Sequence, residues 1–167
     1  MEIPYTNIWM TSEQVKAPEF RELSPLGYIP ALGLMDGRTL FESAAIVSYL
    51  VTAHPDKGMS PAVGSEDFGE FLTWLHFMSV NIYGTINVSE PEGYFTNTPA
   101  AAAHLSARGT ERLHELWTII NARLTKSGPW MMGKNYSALD IYAFMLTLWS
   151  NPGETTLSPY AGIGSEG

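Results

Sequence analysis

The chain contains no cysteine, which excludes thiolate nucleophiles, thiolate metal ligands and disulfides. Any thiol chemistry must therefore be carried by a bound thiol. The four histidines, His54, His76, His104 and His114, show no metal-ligand spacing with carboxylates, and no metal site is expected. Ser137 and Asp140 invite a catalytic reading. A serine at a helix start with an acidic residue three positions on is, however, a capping-box-like pair, and Tyr136 and Ile141 stand at the staple positions. Their expected role is structural. Two other places can present polar groups. Glu42-Ser43 opens a helix whose apolar positions Ile46, Tyr49 and Leu50 fall at helical spacing. Free N–H groups and the dipole at such a helix start favour an anion by about 0.3–1 kcal/mol when exposed. The Ser43 hydroxyl either adds a donor there or simply caps the helix. Ile29-Pro30 lies just before a short apolar run. Proline has no N–H for a ladder and belongs at a strand start or edge, and this bond is a candidate for the cis form.

The elements that position these residues read as a hairpin followed by a helix. Residues 31–35 form a short apolar strand, and residues 38–41 return as the second. Asp36-Gly37 between them predicts a two-residue type I′ turn, with φ positive at both central positions. Upstream, residues 5–10 read as a strand with Ile8 and Met10 on one face. Residues 18–23 read as a short helix with proline in its first turn. Residues 54–65 hold two prolines and two glycines in twelve positions and read as a linker.

Beyond the linker the pattern turns helical. Residues 66–83 place Phe68, Phe71, Leu72, Leu75, Met78 and Ile82 at three- and four-residue steps. Residues 84–97 read as irregular. Thr98-Pro99 supplies an N-cap hydroxyl and a first-turn proline. The helix it opens runs to Lys126 through Leu105, Leu113, Leu116, Trp117, Ile120 and Leu124. Gly109 is a weak point within it, at roughly 1 kcal/mol relative to alanine. Ser127-Gly128-Pro129 stops it. In the last helix Ile141, Phe144, Met145 and Leu148 are expected to form a buried stripe. Residues 151–167 read as an irregular tail in which 155–163 could pair as an edge strand. There is no internal repeat.

At 167 residues the chain suits one ordinary domain or two small ones, and 45% apolar content is enough to bury a core. The net charge of −8 argues against a general nucleic-acid binder, which needs a basic face against phosphates. There is no run of 18 apolar residues and no basic-headed apolar leader, so no membrane partner is expected and a cytoplasmic location is.

Residues 24–50 resemble the glutathione-binding half of the glutathione S-transferases. The family pattern is Pro-x-Gly-x-[Val/Ile]-Pro-Ala-Leu, a hairpin, then [Glu/Gln]-Ser opening a helix. Pro25, Gly27, Ile29, Pro30, Ala31, Leu32, Glu42 and Ser43 match it in order and spacing. Residues 71–77 resemble part of the first helix of the family's C-terminal domain, and residues 129–140 its PxxxGxx[Phe/Tyr][Ser/Thr]xxD segment. The resemblance, over residues 3–150, implies an incomplete thioredoxin-like α+β portion at 1–53 and a linker at 54–65. It implies an all-helical C-terminal domain at 66–150 and a tail at 151–167. The family's first strand and most of its first helix are expected to have no counterpart, with residues 1–4 standing for the end of that helix.

The resemblance also implies glutathione as co-substrate, with Ile29, Pro30, Glu42 and Ser43 as its binding residues. Ile29 would pair its backbone with the tripeptide, presented by a cis bond at Pro30. Ser43 would donate to the γ-glutamyl carboxylate and Glu42 would accept from the ammonium. Tyr28 stands where many relatives carry a basic residue near the glycyl carboxylate. A thiol of pKa near 8.5 is only about 3% thiolate at pH 7, so conjugation needs an activating donor. No catalytic residue is assigned, and Tyr5, Ser24 and Tyr28 are the conceivable stand-ins. Trp74, His76, Phe77 and Tyr83 either line a pocket for a hydrophobic second substrate or are simply core and interface. A homodimer is expected. Three readings follow: a transferase conjugating glutathione to a hydrophobic electrophile; a non-catalytic binding or assembly module; or a shortened product whose missing strand comes from a partner or its own tail.

Overall fold

The computed structural model describes residues 2–89 and 95–150. The chain divides between Met59 and Ser60 into two compact units. Their architecture is a thioredoxin-like N-terminal part and a helical C-terminal domain. No helix among the described residues is long and apolar enough to cross a membrane. The expected edge strand at 155–163 lies outside the described residues.

In the first unit, residues 5–10 are not the expected strand. They are irregular and open to solvent, with Tyr5 80% and Trp9 87% exposed. Alternation of apolar residues makes a strand only if a neighbour pairs its backbone. Among the described residues the sheet contains β1 (Leu32–Gly33) and β2 (Thr39–Leu40) and nothing beside them. The chain instead makes a short helix, α1 (Ser12–Lys16), that the sequence reading passed over. A capping box starts it. The Thr11 hydroxyl accepts the Gln14 N–H at 3.3 Å, and Gln14 Oε1 accepts the Thr11 N–H at 2.8 Å. Helix α2 (Pro18–Leu23) follows with Pro18 in its first turn, as expected, and it buries Phe20.

Strands β1 and β2 are antiparallel, with Leu32 opposite Leu40 and Gly33 opposite Thr39. The turn between them differs from the expected type I′. Leu34 N–H donates to Arg38 O (2.8 Å) and Gly37 N–H to Leu34 O (3.0 Å), which encloses a three-residue loop, Met35-Asp36-Gly37. Gly37 has a positive φ (86°) and Asp36 does not. A type I turn followed by a left-handed glycine asks only the glycine for that conformation. Asp36 keeps ordinary backbone and uses its carboxylate on Arg38, accepting its N–H at 3.0 Å and its Nε–H at 2.8 Å. The Arg38 guanidinium holds the Asp36 carboxyl below its usual range. Helix α3 (Ser43–Ala53) then buries Ala44, Ile46 and Val51. A single 3-10 turn, Pro55–Lys57, closes the unit.

The second unit opens with α4 (Glu66–Phe77), capped by the Ser65 hydroxyl accepting the Phe68 N–H at 3.1 Å. The helix does not stop at 83. It continues through a π-helical turn, Met78–Tyr83, into α5 (Gly84–Ser89). Phe71, Leu75, Met78, Ile82 and Ile86 form its buried ridge. The wider turn loosens the carbonyl ladder, and polar side chains bond the carbonyls four residues back. Asn81 Nδ2 donates to Phe77 O (3.2 Å), Thr85 to Asn81 O (2.6 Å) and Ser89 to Thr85 O (2.7 Å).

Helix α6 (Pro99–Ser127) packs on α5 through Gly109. That glycine is a close-approach point and not merely a weak one. A Cβ there would meet Ser89 Cβ at 2.9 Å and Cα at 3.1 Å. The Thr98 hydroxyl does not cap α6 as expected; Pro99 at the first position starts it. Arg123 ties α6 to two neighbours. Its Nη1 lies 2.7 Å from Glu70 Oε1, Nε and Nη2 donate to Met131 O at 3.1 and 3.0 Å, and the guanidinium sits 5.6 Å from the Trp74 ring centre.

Helix α7 (Ala138–Ser150) turns a different face inward from the one expected. Leu139, Asp140, Tyr142, Ala143, Leu146 and Thr147 are buried, whereas Phe144 is 52% and Leu148 54% exposed, with Ile141 and Met145 on the same open side. The helix is apolar nearly all round, so periodicity leaves its rotation undetermined. The cap determines it. Asp140 accepts the N–H of Met131 (2.9 Å) and both the N–H and hydroxyl of Ser137 (2.8 and 3.0 Å). A carboxylate held inward carries its neighbours three and seven residues on inward with it.

Candidate functional site

The candidate site lies in the first unit, and turn chemistry builds it. Pro25 presets the second position of a tight turn closed by Gly27 N–H donating to Ser24 O at 2.7 Å. Gly27 has φ 70°, and a Cβ there would press on the Val15 carbonyl at 3.2 Å. Ser24 is 3% exposed. Its N–H donates to Phe20 O at 2.9 Å, at the end of α2. Its hydroxyl accepts the Tyr28 N–H at 3.2 Å and donates to the Tyr28 carbonyl at 2.8 Å. The next peptide bond, Ile29-Pro30, is cis. Ile29 is 61% exposed and Pro30 is also open to solvent.

The hairpin then returns the chain to the same end. Pro30 stands two residues before Leu32 and Glu42 two residues after its partner Leu40. Both therefore lie beyond the same end of the hairpin. Glu42 is the N-cap residue of α3 and holds φ 68°, ψ 109°. It is the one non-glycine residue with positive φ among those described. Ser43 takes the first helical position. The Glu42 side chain makes no cap bond to α3, and no acidic residue stands in its first turn. The first ladder bond is Ile46 N–H to Glu42 O at 3.0 Å. The Ala44 and Ala45 N–H groups precede that ladder and face the helix entrance, the arrangement that receives an anion.

Of the predicted site residues, the fold thus returns Ile29-Pro30 and Glu42-Ser43 to one end of the hairpin. Among the three candidate thiol-activating hydroxyls, Ser24 is spent on the Tyr28 backbone, Tyr5 stands in the open irregular segment, and Tyr28 is half-buried. In the second unit Trp74 meets Phe77 edge-on at 5.6 Å and lies under Arg123. Tyr83 packs on Trp149 at 5.8 Å, and His76 Nδ1 is 2.7 Å from Leu72 O. Two features escaped the sequence reading: the Ser24 anchor and the backbone of Glu42. The Ser-Pro-x-Gly run signals the first. Nothing local signals the second, since glutamate has no preference for positive φ.

Residues 1–53 match the family model of the glutathione S-transferase N-terminal domain. The chain is 22% identical over 161 residues to the glutathione S-transferase GST-4.5 of Xanthomonas campestris pv. campestris, over 96% of this chain and 78% of that protein. BphK, a bacterial GST solved as a ternary complex, aligns at a TM-score of 0.69 and 29% identity, over 83% of this chain and 64% of that one. A sphingomonad glutathione S-transferase complexed with glutathione aligns at 0.65 and 27%, over 78% of this chain and 61% of its own. The chain spans less than two thirds of the length of these two structures.

Proposed function

The chain belongs to a glutathione S-transferase-like family, and we propose that it binds glutathione at the shared end of the hairpin. The γ-glutamyl carboxylate sits at the start of α3, taking the Ser43 hydroxyl and first-turn N–H groups. Glu42 accepts from the γ-glutamyl ammonium. The backbone of Ile29 pairs with the peptide portion, beside Pro30. The observation that supports this most is the α3 entrance, which the Glu42 side chain leaves uncapped and which the register returns to the strand end where Pro30 stands. The reaction is conjugation: the glutathione sulfur bonds to an electrophilic carbon of a hydrophobic compound, the leaving group departs with its electron pair, and the thiol proton passes to solvent. A homodimer is part of this reading, measured by light scattering.

A second reading, a non-catalytic glutathione-binding module, is favoured by the Ser24 hydroxyl. It is the one buried candidate donor of the three, and its proton is directed at Tyr28 O. Calorimetric titration with glutathione and a conjugation assay with a chromogenic electrophile separate the two. Binding with turnover supports the transferase. Binding without turnover selects the module. Absence of binding overturns both.

A further inference from the structure

Every polar group of Ser24 is engaged. Its N–H holds the end of α2, its C=O closes the turn through Gly27, and its hydroxyl grips both backbone groups of Tyr28. The side chain is buried, so water does not compete for these bonds. Tyr28 immediately precedes Ile29, which is open to solvent and belongs to no strand. An unpaired backbone edge of this kind keeps one orientation only if the residue before it is held. Gly27 cannot hold it, being the residue with the left-handed turn conformation. The Asp36–Arg38 bonds secure the far end of the hairpin and do not reach it.

We propose that Ser24 is a positioning residue for the glutathione-binding edge. By clamping Tyr28 to α2 it orients the Ile29 N–H and C=O toward the bound tripeptide. The proposal rests on the glutathione reading above, and it removes Ser24 from the list of thiol-activating groups.

Hydrogen exchange and calorimetry on the full chain test it, with Ser24→Ala and the conservative Ser24→Thr. In Ser24→Ala the Tyr28 amide exchanges about tenfold faster and glutathione binds about tenfold more weakly, a factor equivalent to about 1.4 kcal/mol, and Ser24→Thr returns both toward wild type. Fold-wide stabilisation alone would change amides throughout the unit and leave affinity for glutathione unchanged in the folded fraction. Unchanged Tyr28 exchange in Ser24→Ala overturns the clamp. Faster exchange with unchanged affinity overturns the positioning role. Failure of the wild-type chain to bind glutathione overturns the underlying reading instead, and the exchange arm, which needs no ligand, tells the two failures apart. Should Ser24→Ala not fold, the wild-type chain decides: glutathione must slow exchange at Ile29, and exchange left unchanged overturns the orientation assigned to that edge.

Discussion

Glu42 is the residue at which stability and binding should move in opposite directions. Its φ of 68° with ψ of 109° lies outside the conformations that a side chain with a Cβ adopts readily. Such residues cost about 1–3 kcal/mol each and persist where the surroundings impose them. Glu42→Gly removes that steric penalty but gives the unfolded chain more freedom, a loss of about 0.4–1 kcal/mol. Glu42→Ala keeps the Cβ and hence the penalty, while also deleting the carboxylate. The expected order of stability in urea denaturation is therefore Glu42→Gly above Glu42→Ala, by about 1–2 kcal/mol. For glutathione the two variants fall together. Both variants lose a charge-assisted hydrogen bond to the ligand ammonium, about 1.5–3 kcal/mol, and both should bind at least tenfold more weakly. Glu42→Gln, which keeps an acceptor without the charge, should fall between them and wild type. The reasoning is refuted if Glu42→Gly is no more stable than Glu42→Ala, because the backbone would then carry no penalty. It is equally refuted if Glu42→Ala binds glutathione as wild type does.

Further outcomes follow from the second unit. Gly109→Ala should destabilise by about 1 kcal/mol in denaturant melts, because overpacking against Ser89 at about 1–3 kcal/mol outweighs the helix-propensity gain of about 1 kcal/mol; a stabilised variant would contradict the close α5–α6 approach. Asp140→Ala should lose about 3 kcal/mol, since it deletes a buried acceptor of three hydrogen bonds, and Ser137→Ala about 1 kcal/mol. Equal losses would mean that the Met131 contact contributes nothing. Burial, and then the Asp140 charge, push the Tyr136 hydroxyl above its usual value. A group whose folded value is raised stabilises the fold fully below its unfolded value, near pH 10, and loses that contribution as pH rises through the folded one. Absorbance titration should show a late tyrosine ionisation that is absent in Tyr136→Phe, and the stability difference between wild type and Tyr136→Phe should shrink at high pH.

The parts legible from the sequence are those in which a residue type has one conformational use. Pro25-x-Gly27, Ile29-Pro30 and the Glu42-Ser43 helix start were readable because glycine, proline and a helix-opening serine each restrict the backbone locally. The buried ridge of α4 and its π-helical turn was readable because Phe71, Leu75, Met78 and Ile82 recur at three- and four-residue steps. Where spacing singles out no face, the reading fails. In α7, Leu139 and Leu146 differ from Ile141 and Leu148 in nothing that hydropathy registers, and the bonds from Met131 and Ser137 to Asp140 select the buried side. Residues 5–10 fail differently: alternation reports what a strand would bury, not whether a neighbouring strand is present to pair with it. Glu42 is the sharpest case. Glutamate is a poor choice for positive φ on local grounds, so its backbone could be found only in three dimensions, where β2 ends at Leu40 and α3 begins at Ser43. Local rules are most often broken at functional positions, which is why the proposed reading places the ligand ammonium at Glu42. On the proposed reading, the Glu42 carboxylate offsets that backbone cost by accepting from the ligand ammonium, so Glu42→Gly should gain stability and lose affinity together.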